Sequence, residues 1–158
     1  MRMSPDRRAI LEAKAVILLE NADLLRTKLA VPRERYLVSR DLQLQVERLC
    51  QIVIECAIDM TAATVETAGK APPASAREGF ETLAILRPAA KVLCDRFAWR
   101  YTGFRNRLVH EYERLDQQIV FGTARGLVGD ARKLLSILLP GGGPPPSRPA
   151  KNGPRRKT

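Results

Sequence analysis

Leu42, Val46, Leu49, Val53, Cys56, Met60 and Ala63 recur at alternating spacings of four and three residues. No other feature restricts the fold of this chain as strongly. That period lays apolar side chains along one stripe of an α-helix, whereas on a strand it would scatter them over both faces. It is the spacing of a bundle or coiled-coil seam and predicts a helix from about Asp41 to Thr67. Ile54, Ile58 and Val65 lie off the seam, so this helix is apolar on two sides. It is therefore central to a bundle or shared with a second subunit, the first being the default.

The remaining segments read as further helices. Ser4-Pro5-Asp6 combines a hydroxyl cap, a proline at the first helical position and an acid in the first turn, which predicts a helix running to about Leu29. Pro32 limits it, and Val31 to Arg40 reads as a connector. After the break Ala68-Gly69-Lys70-Ala71-Pro72-Pro73, Ser75 and Glu78 have the spacing of a capping box for a short helix to about Leu86. Pro88 suits the first turn of another, through Val92, Leu93 and Phe97 to about Arg100. Tyr101-Thr102-Gly103 marks a kink or restart. Asp116 can cap a last helix, Gln117 to Leu139, whose apolar face includes Val120, Ala124, Leu127, Ala131, Leu134 and Leu138. Gly122, Gly126 and Gly129 lower its intrinsic helicity. The expected fold is all-α: an up-and-down bundle of four to five helices over residues 1–139. Residues 140–158, rich in Pro, Gly and basic side chains, offer no apolar face to offset the entropy of ordering and read as a disordered tail.

The charge is uneven. The chain has 27 Lys and Arg against 17 Asp and Glu, a formal +10. The tail holds Arg148, Lys151, Arg155, Arg156 and Lys157 and no acid, so the body keeps 22 basic against 17 acidic residues. A basic surface makes a polyanion such as RNA a plausible partner. Cys50, Cys56 and Cys94 are too few and too scattered for a disulfide framework, and no CxxC pair suggests zinc. They read as small hydrophobes in helices. Charges interrupt the apolar run at the start, so there is no secretory h-region, and no stretch has the unbroken apolar length of a membrane span. The expected compartment is the cytoplasm, with no membrane partner.

One motif remains: Phe104-Arg105-Asn106-Arg107-Leu108-Val109-His110-Glu111-Tyr112, which carries the single histidine. If the helix continues through it, Phe104, Leu108, Tyr112 and Leu115 share a core stripe, and His110 projects to the far side beside Gly103, Asn106, Arg107 and Arg114. A histidine opposite its own helix's apolar face, ringed by arginines, reads as a site or a second interface. Arg105-Asn106-x-x-x-His110-x-Tyr112, late in an all-helical chain, resembles the HEPN superfamily, and specifically the HepT-like ribonuclease toxins. Glu47-Arg48, Ile54-Glu55-Cys56-Ala57-Ile58-Asp59 and Arg77-Glu78-Gly79-Phe80 extend the resemblance in order, over roughly Leu42 to Leu139. It implies metal-independent cleavage of RNA, tRNA and mRNA being candidate targets, by a homodimer with Arg105 and His110 at a cleft between subunits and no cofactor. It also implies a nucleotidyltransferase antitoxin partner that silences the toxin by attaching AMP to Tyr112.

The chemistry of these residue types fits. Cutting RNA without a metal needs a base for the 2′-hydroxyl, an acid for the leaving 5′-oxygen and positive charge on the phosphorane. Histidine can carry either proton, and arginine offers a fork of donors to phosphate oxygens. One histidine leaves one proton carrier short, so a second copy is expected to supply it. Residues five apart on an ideal helix point about 140° apart, so Arg105 and His110 do not share a face. Distortion at Gly103 is one way for Arg105 to reach around. Asn106, four residues before His110, shares its face and could orient the imidazole. Arg107 and Arg114 would attract the phosphate backbone. Tyr112 reads by projection as a core-edge ring, by resemblance as an exposed AMP acceptor. Glu55 and Asp59 are acids on an otherwise apolar helix. They read first as a solvated strip or ordinary ion pairs, with Asp59 kept as a possible support for Arg105 or His110. Two rivals are a non-catalytic nucleotide- or protein-binding helical module using the same pocket, and a purely structural helical dimer.

Overall fold

A computed structural model describes residues 4–139, and these are all-helical, with no strand among them. The expected tail, 140–158, lies outside the described residues. The helix ends follow side-chain chemistry. In α1 (Pro5–Leu29) the Ser4 hydroxyl accepts from the Arg7 amide at 3.3 Å, which satisfies one of the free N–H groups of the first turn. Ser39 does the same for α3 (Arg40–Thr67) through the Leu42 amide at 3.3 Å. Ser75 begins α4 (Ala76–Leu86) by accepting from the Glu78 amide at 3.1 Å, and the Glu78 carboxylate reaches back to the Ala74 amide at 3.3 Å. This is the reciprocal pairing that the Ser-x-x-Glu spacing predicts, displaced by one residue at its second bond. Asp116 caps α7 (Gln117–Leu138) through the Gln118 amide at 2.9 Å.

The connector between α1 and α3 holds a short helix that the sequence reading missed, α2 (Arg33–Val38). Tyr36 explains it. Its ring is fully buried 4.9 Å from the Phe121 ring, and its hydroxyl donates to Gln117 at 2.6 Å. The buried Gln43 amide donates to the Tyr36 and Leu37 carbonyls at 3.2 and 3.1 Å, tying the end of α2 to α3. Tertiary contacts, not local propensity, make six residues helical here.

α3 is the central rod. It packs against α1, α7, α4 and α6, and its seam and off-seam residues Val46, Val53, Ile54, Met60 and Val65 are all buried. Its two apolar sides are thus both used within one chain. The three thiols are free and buried, and burial pushes the Cys94 thiol up to about 11. Among the described residues no helix is long and apolar enough to cross a membrane.

The part of the fold that positions the motif is one continuous rod. After a 3₁₀ turn at Pro88–Ala90 come α5 (Lys91–Asp95), a widened π-helical turn (Arg96–Tyr101) and α6 (Thr102–His110). The residues at the junctions, Asp95, Arg96, Tyr101 and Thr102, keep right-handed helical dihedrals, so the rod is unbroken. Leu93, Phe97 and Tyr101 are each four apart and all face the core. On a regular α-helix such a series drifts by about 40° per step. The widened turn holds more residues per turn and removes the drift. Phe97 fixes the arrangement, with Phe80 at 5.1 Å on one side and Tyr101 at 4.8 Å on the other. The kink expected at Tyr101-Thr102-Gly103 is therefore a wide turn that lies upstream, and Gly103 sits inside regular helix with open space around it.

Candidate active site

α6 presents the motif residues in three directions. Phe104 is buried in the core and Leu108 partly so, which fixes the rotation of the helix. Arg105 turns toward α3. Its guanidinium lies 3.4 Å from the Glu55 carboxylate, and its Nε is buried without a hydrogen-bond partner. A buried donor left unpaired is uncommon in a folded protein. Asn106, Arg107 and His110 are exposed. Asn106 and His110 stand one turn apart on the outer face.

Because Arg105 and His110 both lie within regular α6, the widened turn ahead of them leaves their roughly 140° separation intact. The expected help from distortion at Gly103 is absent. Arg105 points inward along α3, while the imidazole stands in solvent at the last residue of the helix.

α6 stops at His110. Glu111 leaves helical geometry at φ −123° and ψ 30°, its amide closing the helix on the Arg107 carbonyl at 2.8 Å, and Tyr112–Arg114 form a separate 3₁₀ turn. This overturns the projection that put Tyr112 on the core stripe. The phenol is 61% exposed, because the stripe ends two residues before it. His110, Glu111, Tyr112, Glu113 and Arg114 line one open hollow. A neighbouring hollow is lined by Arg107, Arg114 and Glu111 over a floor that includes Phe104, Leu115 and Val120. The structure thus brings His110, Tyr112 and Arg114 together and sets Arg107 beside them, with Arg105 on the inner side of the same helix.

The two acids of α3 both form ion pairs, as their first reading has it, but Glu55 rather than Asp59 stands by Arg105. Asp59 pairs with Lys14 of α1 at 2.9 Å, and this contact raises the Lys14 pKa. Its carboxylate serves the α1–α3 contact within this chain. Glu55, one turn earlier, is the acid that meets Arg105. Glu55→Gln should therefore release the Arg105 guanidinium from α3. Stability should stay within about 0.5 kcal/mol, since the pair is partly solvated. The NMR signals of the Arg105 guanidinium with a thermal melt check this, and an equal effect of Asp59→Asn would contradict the assignment.

Sequence reading also missed a buried network behind the motif. The Asp130 carboxylate of α7 takes both arms of the Arg96 guanidinium at 3.0 Å and the Tyr101 hydroxyl at 2.6 Å. A signal was present, because Asp130 interrupts the apolar face formed by Leu127, Ala131 and Leu134, and an acid buried there needs partners.

An exposed histidine and tyrosine stand beside arginines at the end of a core-anchored helix in an all-helical bundle, and solved structures share this fold. The tri-AMPylated HEPN toxin of Shewanella oneidensis in complex with MNT antitoxin superposes with a TM-score of 0.75 over 86% of this chain and 98% of that one, at 20% identity. A toxin–antitoxin complex with AMP-PNP gives 0.75 over 87% and 100%, also at 20% identity. A mutant MntA–HpeT toxin–antitoxin gives 0.73 over 82% and 97%, again at 20% identity. No curated protein matches the chain. The family model described as "Ribonuclease HepT-like" matches residues 18–137. The chain belongs to the HepT-like ribonuclease family.

Proposed function

We propose that this protein is the toxin of a toxin–antitoxin pair and cleaves RNA without a metal ion, using Arg105 and His110 at a cleft between two copies of the chain. The observation that carries the reading is the motif Arg105-Asn106-x-x-x-His110-x-Tyr112 in a family-matched bundle, with its imidazole in solvent and its guanidinium anchored on Glu55. In the proposed step His110 takes the proton of a 2′-hydroxyl, the 2′-oxygen attacks phosphorus and the 5′-oxygen leaves. Arg105 stabilises the charge that builds on the phosphorane. The leaving oxygen needs a proton, and the His110 of a second copy supplies it. A two-fold axis through the cleft would also bring a second Arg105 to the same phosphate. Asn106 orients the imidazole, while Arg107 and Arg114 hold the flanking phosphates.

The family match and the exposure of Tyr112 support a second element of the reading. A nucleotidyltransferase antitoxin attaches AMP to the Tyr112 hydroxyl and silences the toxin. The S. oneidensis relative is described as tri-AMPylated and in complex with MNT antitoxin. An AMP on Tyr112 would add bulk and negative charge to the hollow that His110 and Arg114 line, excluding RNA sterically and repelling its phosphates.

The test is sequencing of RNA ends after expression of the wild type and of Arg105→Ala. The wild type should yield defined cuts that persist in EDTA, and the variant should lose them by about 10²-fold or more while remaining folded. RNA that binds but is never cut would overturn the enzyme reading in favour of a binding module, and loss of cutting in EDTA would overturn metal independence.

A further inference from the structure

The widened turn Arg96–Tyr101 immediately precedes the helix that carries Arg105 and His110, and it is held at both ends by one side chain. Arg96 is its first residue and Tyr101 its last, and both bond to the Asp130 carboxylate of α7, the fork at 3.0 Å and the hydroxyl at 2.6 Å. Asp130 is buried, Tyr101 fully so, and desolvation together with the bond to the carboxylate raises the Tyr101 pKa, keeping its proton on the hydroxyl as donor. One turn before Asp130, a side chain at Gly126 would come within 3.3 Å of the Tyr101 hydroxyl, so α7 leaves just enough room for this contact. Gly122 and Gly129 face open space, so of the three α7 glycines only Gly126 marks a close approach.

We propose that Asp130 is a positioning residue that sets the rotation of α6, and with it the directions of Arg105 and His110, by holding both ends of the widened turn. A helix can relax a π-turn to an α-turn by moving the extra residue along the chain, and everything downstream then rotates. Three charge-assisted bonds to a fixed point on α7 oppose that relaxation. The clamp is remote from the RNA phosphates and acts through the backbone of α6, so it should influence how the reacting groups are aimed more than how RNA is held. A misplacement of about 1 Å in such groups costs on the order of 10² in rate.

Two measurements test this on the full chain, with Asp130→Asn and Tyr101→Phe as variants and Arg132→Gln as control. Arg132 of α7 pairs with Asp23 of α1, away from the widened turn. The first is the NMR signal of the His110 ring, unambiguous because the chain has one histidine. It should shift in Asp130→Asn and Tyr101→Phe and stay put in Arg132→Gln. The second rests on the ribonuclease reading: kcat should fall about 10- to 100-fold in Asp130→Asn and less in Tyr101→Phe, with KM within about twofold. A His110 signal unmoved in folded Asp130→Asn, or in Tyr101→Phe should the first variant fail to fold, overturns the clamp. So does a KM that rises as much as kcat falls. Absence of cleavage by the wild type would defeat the ribonuclease reading alone, and the histidine signal would still decide the clamp.

Discussion

His110→Ala is expected to lower RNA cleavage by about 10²- to 10⁴-fold, the range for removing a general acid–base group. The effect should exceed that of any neighbouring substitution, because the chain has no second histidine and the proposed symmetric dimer would lose both proton carriers at once. Stability should change by no more than about 0.5 kcal/mol, since the imidazole is exposed at the last residue of α6 and is no part of the core. Single-turnover cleavage of a defined RNA, with a melt to confirm folding, separates these effects. Mixing wild-type subunits with an excess of His110→Ala subunits extends the measurement. If the two proton transfers come from opposite copies, the mixed dimer should be nearly as impaired as the double variant. Cleavage by mixed dimers at half the wild-type rate would mean that each chain works alone.

The second large effect concerns Tyr112. Incubated with ATP and the proposed nucleotidyltransferase antitoxin, the wild-type protein should gain mass in AMP steps and lose activity, whereas Tyr112→Phe should gain none and remain active. The phenol is 61% exposed on a 3₁₀ turn and lines the His110 hollow, so removing its oxygen takes away the nucleophile without disturbing packing. Intact-mass spectrometry reads the outcome directly. Adducts that persist at wild-type levels in Tyr112→Phe would move the acceptor to another hydroxyl.

The long helices were legible because each carries a local code that physics reads within a few residues. The alternating seam of α3 and the caps Ser4, Ser75 and Asp116 needed no tertiary information. Other features depend on residues far apart in the chain. α2 exists because Tyr36 reaches Phe121 and Gln117 across the bundle. The widened turn carries Arg96 and Tyr101 to a shared partner, Asp130, that lies 34 residues beyond Arg96. The end of α6 was misjudged for a different reason. Projection runs the helix on, and nothing in His110-Glu111-Tyr112 announces a stop, so periodicity alone puts Tyr112 on the core stripe, whereas the resemblance puts it in solvent, where it lies. Choosing between Glu55 and Asp59 also required geometry, since one turn of α3 decides which acid meets Arg105 and which meets Lys14.

The widened turn also decides where this stretch tolerates a change in chain length. A loop gains or loses a residue at little cost, but the regular parts of the rod from Lys91 to His110 count their residues. Deleting one from α6 ahead of Phe104 would swing every later side chain by about 100° around the axis, and Phe104 would leave the core. Deleting one between Arg96 and Tyr101 would instead let the turn close to ordinary α-helix, with the later side chains keeping roughly their directions. In relatives that keep the motif, an alignment gap within this rod should therefore fall at Arg96–Tyr101.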